Sequence, residues 1–469
     1  MCSSDLIRDV PECEPAYAKW RAAKIAKYGS GFMEGSLKES FAALDPWRRN
    51  AATSLFFAEM EAAAFARNRD WLRSIGVKNL LCAGNHGPQN VPNQFVRSVA
   101  FDCVDDHSYE DHPESLNKAK RSALPKRCGN RDYLAADAFC ALSMNRKAFS
   151  RVGAKPFTVT EWNCCGPSEY RQIGGMYGGS LFARQDWSGV WRFAYAHDIR
   201  HLGDLPRTPG AFDVSADPIM AAQERQVVPL FLRRDLEPAT TRVNFTIDDE
   251  ALMPRGDSVI SASPARKENL MFAARVSCGT DRVEGALNLR IAEYASGDRQ
   301  VLLPPGAENG GVEIDFSNRT FSVVSERTCG VCGPEGARLR AGALEVVLHG
   351  TRAAVSVTSL DGLPIARSSR MLLAHLTDAK GRGSRFERTD KGLVSVAEGD
   401  GTILLRNGTA EIGLAVDDPA AYRVYALSTS GRRRFRVPTI LVAGRLTLQI
   451  STRGNDGLAT MEYEIVRER

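Results

Sequence analysis

The chain has 469 residues, long enough for two or three domains of ~100–200 residues each. Its 43% hydrophobic and 25% charged residues match an ordinary globular protein, which excludes a disordered tail, a collagen and a small disulfide scaffold. Sixty-one Lys and Arg against 56 Asp and Glu leave a net charge of +5 spread along the chain. The one dense basic run, Arg432-Arg433-Arg434, is too short for a nucleic-acid footprint and reads as a solvated turn. No run reaches the ~18 apolar residues of a membrane helix, and the N-terminus lacks a secretory pattern, so the chain reads as soluble with no membrane partner.

Composition changes near residue 235: all six tryptophans precede it. Pro46 to Ser74 has apolar residues at helical spacing, and Gly76 stops it before Val77–Gly84, an apolar run of strand length. The alternation continues with strands at Ser98–Val104, Pro156–Thr160 and Val190–Tyr195, and helices at Tyr133–Phe149, Glu169–Arg184 and Ala216–Phe231. Alternating strands and helices predict a parallel sheet covered by helices, with chemistry at the C-terminal strand ends. Those ends read Asn85-His86, Asp106-His107-Ser108-Tyr109, Glu161-Trp162-Asn163 and Tyr195-Ala196-His197-Asp198.

After the join at Leu236–Ala239 the chain turns to short β-type runs. Leu344–Leu348 and Ala354–Thr358 flank a turn at Gly350, while Ile403–Arg406 and Ala410–Ala415 flank Asn407-Gly408. Both read as hairpins. With Tyr422–Leu427, Leu446–Ile450 and Met461–Ile465 they predict one or two antiparallel β-sandwiches, a split falling near residue 340.

Eleven cysteines cannot all pair within the chain. Cys82 and Cys103 fall in apolar segments as buried thiols would, which favours a reducing, cytoplasmic location. Cys329-x-x-Cys332 lacks a second pair at metal-ligand spacing, so no metal site is assigned. The vicinal Cys164-Cys165 follows Trp162 closely enough to line a pocket.

Glu161 is the candidate catalytic carboxylate. It ends a strand, where a rigid backbone would fix it facing a sugar ring, as a glycosidase nucleophile requires. The alternative is an ordinary strand-end carboxylate in a salt bridge. Trp162 and Asn163 beside it would stack on and hydrogen-bond a sugar. His107 and Tyr109, two apart on the preceding strand, share one face and would hold the carboxylate or touch the sugar. Trp191 would supply a stacking floor, and Asn85 and His86 belong to the same ring of strand-end candidates.

The blocks Lys155-Pro-Phe-Thr-Val-Thr-Glu161-Trp-Asn and Arg184-Gln-Asp-Trp187-Ser-Gly-Val-Trp191-Arg-Phe-Ala-Tyr195 resemble the seventh and eighth strands of clan A glycoside hydrolases. These are (β/α)8 TIM-barrel enzymes of the cellulase and β-galactosidase kind, often carrying β-sandwich domains. Asp106-His-Ser-Tyr109 is similar to the sixth strand, and Tyr17-Ala-Lys-Trp20 through Lys27-Tyr28-Gly29 to the helix after the fourth. Ser359–Pro364 and Ser369–Leu373 resemble segments of the C-terminal sandwiches of bacterial members. The resemblance implies that Glu161 is the nucleophile of a retaining mechanism, positioned by His107 and Tyr109, with Trp191 lining the donor subsite. The clan's acid/base glutamate follows an asparagine at the end of the fourth strand, and this sequence contains no Asn-Glu dipeptide.

The expectation is therefore the C-terminal portion of a retaining β-glycoside hydrolase acting on poly- or oligosaccharides. Residues 1–235 hold strands five to eight of a TIM barrel, and residues 236–469 form β-sandwich structure. The opening Met1-Cys-Ser-Ser-Asp-Leu6 resembles translated adapter sequence, which leaves a secreted or periplasmic location open. Lacking the acid/base, the chain is expected to be inactive as it stands, and no cofactor is implied. The alternative is a carbohydrate-binding protein without catalysis.

Overall fold

A computed structural model of the chain describes residues 12–29, 51–83, 90–117, 119, 124–199, 211–253, 268–294 and 301–468. Two long helices come first, α1 (Cys13–Tyr28) and α2 (Ala51–Ser74). They meet through Tyr17, Trp20 and Phe56. The strand expected at Val77–Gly84 is not formed over residues 77–83: Leu80 is exposed, and Asp102 ties the segment down by accepting from the Leu81 N–H at 3.1 Å. An apolar run of this length needs a neighbouring strand to pair with, and among the described residues it has none.

Ser98–Val104, also expected as strand, is divided between the end of α3 (Val91–Ala100) and the start of β1 (Val104–Glu110). The side chain of Asn90 caps α3 by accepting from the Asn93 N–H, and Pro92 occupies its first turn. This start signal outweighs the β-branched residues that follow. A small hairpin of β2 (Glu114–Ser115) and β3 (Lys126–Cys128) follows. The helix expected over Tyr133–Phe149 is broken into α4 (Ala136–Ala141) and α5 (Ser143–Lys147). Then come β4 (Phe157–Cys164), α6 (Gly174–Arg184), β5 (Gly189–Arg192) and α7 (Pro218–Val227).

Strands β1, β4 and β5 form a parallel sheet in that order. Among the described residues this sheet has three strands rather than the four expected, and it does not close into a barrel. The fold is mixed α/β with a large antiparallel β part. Residues after 235 also depart from the expected all-antiparallel pattern. β6 (Thr241–Thr246) pairs in parallel with both β7 (Ala274–Gly279) and β8 (Leu287–Arg290). These strands share one hydrophobic core with β1, β4 and α6, so apolar packing continues across residue 235.

The antiparallel part runs through β9 (Val312–Asp315), β10 (Thr320–Val324), β11 (Thr328–Gly333), β12 (Arg338–Ala341), β13 (Leu344–His349), β14 (Ala353–Ser359) and β15 (Arg370–Leu376). After β16 (Ala379–Gly381) come β17 (Arg385–Thr389), β18 (Gly392–Ala397), β19 (Ile403–Leu405) and β20 (Thr409–Leu414). The last strands are β21 (Tyr422–Leu427), β22 (Arg433–Val437), β23 (Thr439–Val442), β24 (Arg445–Ser451) and β25 (Glu462–Arg467). An eight-stranded sheet ordered β22-β21-β25-β15-β14-β11-β10-β9 faces a five-stranded sheet ordered β12-β13-β20-β24-β23. One apolar core joins the two as a single sandwich.

Both hairpins expected from turn residues are corrected. β13 pairs with β12 and β20, whereas β14 pairs with β11 and β15; β19 pairs with β16, not β20. The chain changes sheets at both turns. Gly350, at φ 81°, adopts the left-handed backbone such a corner needs, and a Cβ there would meet Gly408 at 3.8 Å. Turn chemistry marks where a strand ends, not which strand it pairs with.

Arg171 fastens the helical layer to the sandwich. Its Nε donates to Asp217, the N-cap of α7, and its Nη1 to Asp378, just after β15, both at 2.7 Å. The carbonyls of Ser168 and Ala379 accept its other protons. Burial works against this charge, but Asp217 and Asp378 outweigh it and raise the guanidinium pKa. Arg171→Met should cost about 3–5 kcal/mol by leaving the buried Asp217 carboxylate without its cation, while Asp378 keeps Lys380 at 3.0 Å; urea unfolding measures the loss.

His375, on β15, is fully enclosed, and neither ring nitrogen has a hydrogen-bond partner among the described residues. Burial lowers its pKa from 6.5 to about 4. Its contribution to stability is therefore complete above pH 6.5 and is lost as pH falls toward 4, because the unfolded chain takes up the proton first. Relative to His375→Leu, the parent protein should lose ~3 kcal/mol over that window. Denaturant melts of both proteins from pH 7 to 4 measure the difference.

Candidate functional site

Alternation along β1 sends two sets of side chains in opposite directions. Toward the helices, Asp106 meets Lys147 at 2.6 Å and Arg97 at 3.3 Å, and Glu110 accepts the N–H groups of Ser143 and Met144. Burial pushes the Glu110 carboxyl up to about 7 despite those two donors. Asp105, His107 and Tyr109 point to the other face.

Strand β4 does not keep period two. Phe157, Val159, Trp162 and Cys164 all enter the core, and a step of three separates Val159 from Trp162. The pairing shows why: Asp106 lies opposite Val159 and His107 opposite Glu161, so Thr160 is an extra residue, a β-bulge. Asp105 pins the bulge, its carboxylate accepting from the Thr158 hydroxyl at 2.7 Å, the Thr160 hydroxyl at 2.6 Å and the Thr160 N–H at 3.2 Å. The result turns Glu161 to the face that carries His107 and Tyr109.

These three side chains meet. The Tyr109 hydroxyl donates to Oε2 of Glu161, and Nδ1 of His107 lies 3.1 Å from the same oxygen. Burial, then the bond to Glu161, raises the Tyr109 pKa, so the phenol stays protonated and donating. Its ring rests on Phe212, with centroids 4.5 Å apart, and edge-on to Phe193 at 6.1 Å. Glu161 itself keeps 28% of its side chain exposed, enough to meet a ligand.

The other candidates separate into two groups. Trp162 and Asn163 face protein, not ligand. Trp162 is 2% exposed, packed edge-on against Phe182 at 5.0 Å and under the guanidinium of Arg192 at 3.8 Å. Asn163 is fully buried, its amide donating to the carbonyls of Phe193 and Phe212. Trp191, by contrast, is 53% exposed. Its ring lies over Gly189, where any Cβ would come within 2.6 Å of the indole. Asn85 and His86 lie outside the described residues.

Sequence reasoning missed Asp105, Phe193 and Phe212. The paired Asp105-Asp106 at a strand start was a usable signal, since two carboxylates in a buried strand must each find partners. Phe212 precedes α7 in irregular chain and gave none. The cysteine motifs are structural: Cys329 and Cys332 enter different hydrophobic clusters, and so do Cys164 and Cys165. Burial pushes the Cys164 thiol up to about 12. Among the described residues no cluster of three or more His, Cys, Asp or Glu could hold a metal ion, and no helix is long and apolar enough to cross a membrane.

No protein-family model, no curated protein and no solved structure matches the chain.

Asp105→Ala should release the bulge, costing about 1–3 kcal/mol through the lost charge-assisted hydrogen bonds. Urea unfolding measures the loss, and an Asp105→Ala protein as stable as the parent would show that the bulge holds itself.

Proposed function

We propose that Glu161 is the nucleophile of a retaining β-glycoside hydrolase, and that β1, β4 and β5 are the sixth, seventh and eighth strands of an incomplete (β/α)8 barrel. One observation carries the reading: a tyrosine hydroxyl and an imidazole nitrogen converge on one oxygen of a half-open carboxylate that lies within the parallel strand β4, three residues before its end at Cys164 and not at the strand end expected from the sequence. Two partners on Oε2 fix the plane of the carboxylate and stabilise its charge. The carboxylate would attack the anomeric carbon as the bond to the leaving oxygen breaks, giving a glycosyl ester that water then hydrolyses.

The leaving oxygen needs a proton, and the chain contains no Asn-Glu pair to supply the clan's acid. General-acid help is worth roughly 10²–10⁴-fold, so the chain is expected to act on activated aryl glycosides and not on oligosaccharides. A role in binding carbohydrate without hydrolysis is favoured by Trp191, half exposed beside the carboxylate's strand.

A 2,4-dinitrophenyl 2-fluoro β-glycoside, which needs no acid, should esterify Glu161, and peptide mass mapping should find the sugar there. Glu161→Gln should abolish the labelling. Ester formation on another carboxylate, or undiminished labelling of Glu161→Gln, removes the assignment.

A further inference from the structure

Beyond β5 the chain forms a second set of backbone hydrogen bonds. The Ala194 N–H bonds the Phe212 carbonyl, and the N–H groups of Val214 and Ser215 bond the carbonyls of Ala194 and Tyr195. These bonds bring Asp213 against His197. Oδ1 of Asp213 accepts the His197 backbone N–H at 3.0 Å and lies 2.5 Å from Nδ1 of its ring. The carboxylate side chain is 6% exposed, while that of the histidine is 44% exposed.

The dyad is fixed to the Glu161 strand. Asn163, two residues after Glu161, bonds the carbonyls of both Phe193 and Phe212, so one buried amide holds both segments. A chain of rings also joins the two places: His197 is edge-on to Phe193 at 5.1 Å, Phe193 edge-on to Tyr109 at 6.1 Å, and the Tyr109 hydroxyl binds Glu161. Trp191 and Tyr195, in the same stretch, are 53% and 67% exposed, which leaves aromatic faces available for stacking on sugar C–H groups.

We propose that His197 binds substrate at the rim of the Glu161 site, its Nε2 hydrogen-bonding a sugar hydroxyl, with Asp213 as its positioning residue. A carboxylate can only accept, so Asp213 holds the ring through an Nδ1 proton and leaves Nε2 turned away from the dyad. For its class of ligand this proposal rests on the glycosidase reading.

The test measures binding of cellotriose and of β-1,4-galactotriose to the full chain by calorimetry, alongside mapping of the 2-fluoro glycoside label. The His197→Phe variant keeps the ring against Phe193 and removes both nitrogens. It should weaken trisaccharide binding about tenfold with its thermal transition unmoved. Asp213→Asn retains an acceptor for the backbone N–H, and should weaken binding by a smaller factor while the imidazole nitrogen NMR shifts of His197 leave the Nδ1-protonated pattern. If His197→Phe does not fold, Asp213→Asn decides. Equal affinity in parent and variants, or a parent protein that binds neither trisaccharide, overturns the role of His197. The label at Glu161 separately reports the nucleophile, so either reading can fail alone.

Discussion

A β-strand offers alternate residues to each of its faces, and that constraint would have denied Glu161 its place. With Phe157 and Val159 in the core, unbroken period two would send Glu161 inward and Trp162 out. Thr160, inserted as a bulge, reverses this phase halfway along the strand. Its cost is an unpaired stretch of backbone, and Asp105 offsets it by bonding Thr160 twice and Thr158 once. Everything at the site follows from the reversal: the indole of Trp162 becomes core, and the carboxylate meets His107 and Tyr109.

The site also depends on the distant half of the chain. Strands β17 and β18 continue the small β2–β3 hairpin as one sheet. Phe386 and Leu393 from that hairpin join Cys128, Cys165 and Phe212 in the cluster against which Tyr109 packs. Arg171 sets the distance between the two halves by spanning Asp217 and Asp378. The sandwich therefore supports the ring that orients the carboxylate, and no natural cut through the chain leaves the Glu161 site with its full support.

The alternation of helices and strands before residue 235 was legible only in part: β4, β5, α6 and α7 fall where apolar runs and the helical period of 3.6 put them, whereas β1, Val-Asp-Asp-His-Ser-Tyr-Glu, carries no continuous apolar run to mark it. The convergence of His107 and Tyr109 on one face was legible, since it needs only the period of a strand. The direction of Trp162 and Asn163 was not legible. It is set by a bulge whose fixing carboxylate is 55 residues earlier in the chain than Thr160, and local pattern carries no register. The same blindness to pairing produced the two false hairpins at Gly350 and Asn407-Gly408, where local turn chemistry is correct and the partner strands lie in different sheets. The parallel set β6, β7 and β8 escaped notice because Thr-Arg-Val-Asn-Phe-Thr, Ala-Arg-Val-Ser-Cys-Gly and Leu-Asn-Leu-Arg mix polar with apolar residues and carry no continuous apolar run.

The charges on the two faces of β1 bear on what Glu161 is for. Behind the strand, the carboxylate of Asp106 is neutralised by Arg97 and Lys147, as a structural carboxylate in a buried layer must be. In front, among the described residues, Glu161 has no ion pair with lysine or arginine. On the adjacent strand β5, Arg192 is engaged by Glu224 at 2.6 Å, by Asn163 at 2.9 Å and by the face of Trp162. Glu161 is held by the Tyr109 phenol, with the His107 imidazole 3.1 Å from the same oxygen. Asp105 and Glu110 on β1 are likewise held by hydroxyl and backbone donors; what sets Glu161 apart from them is that 28% of its side chain remains exposed.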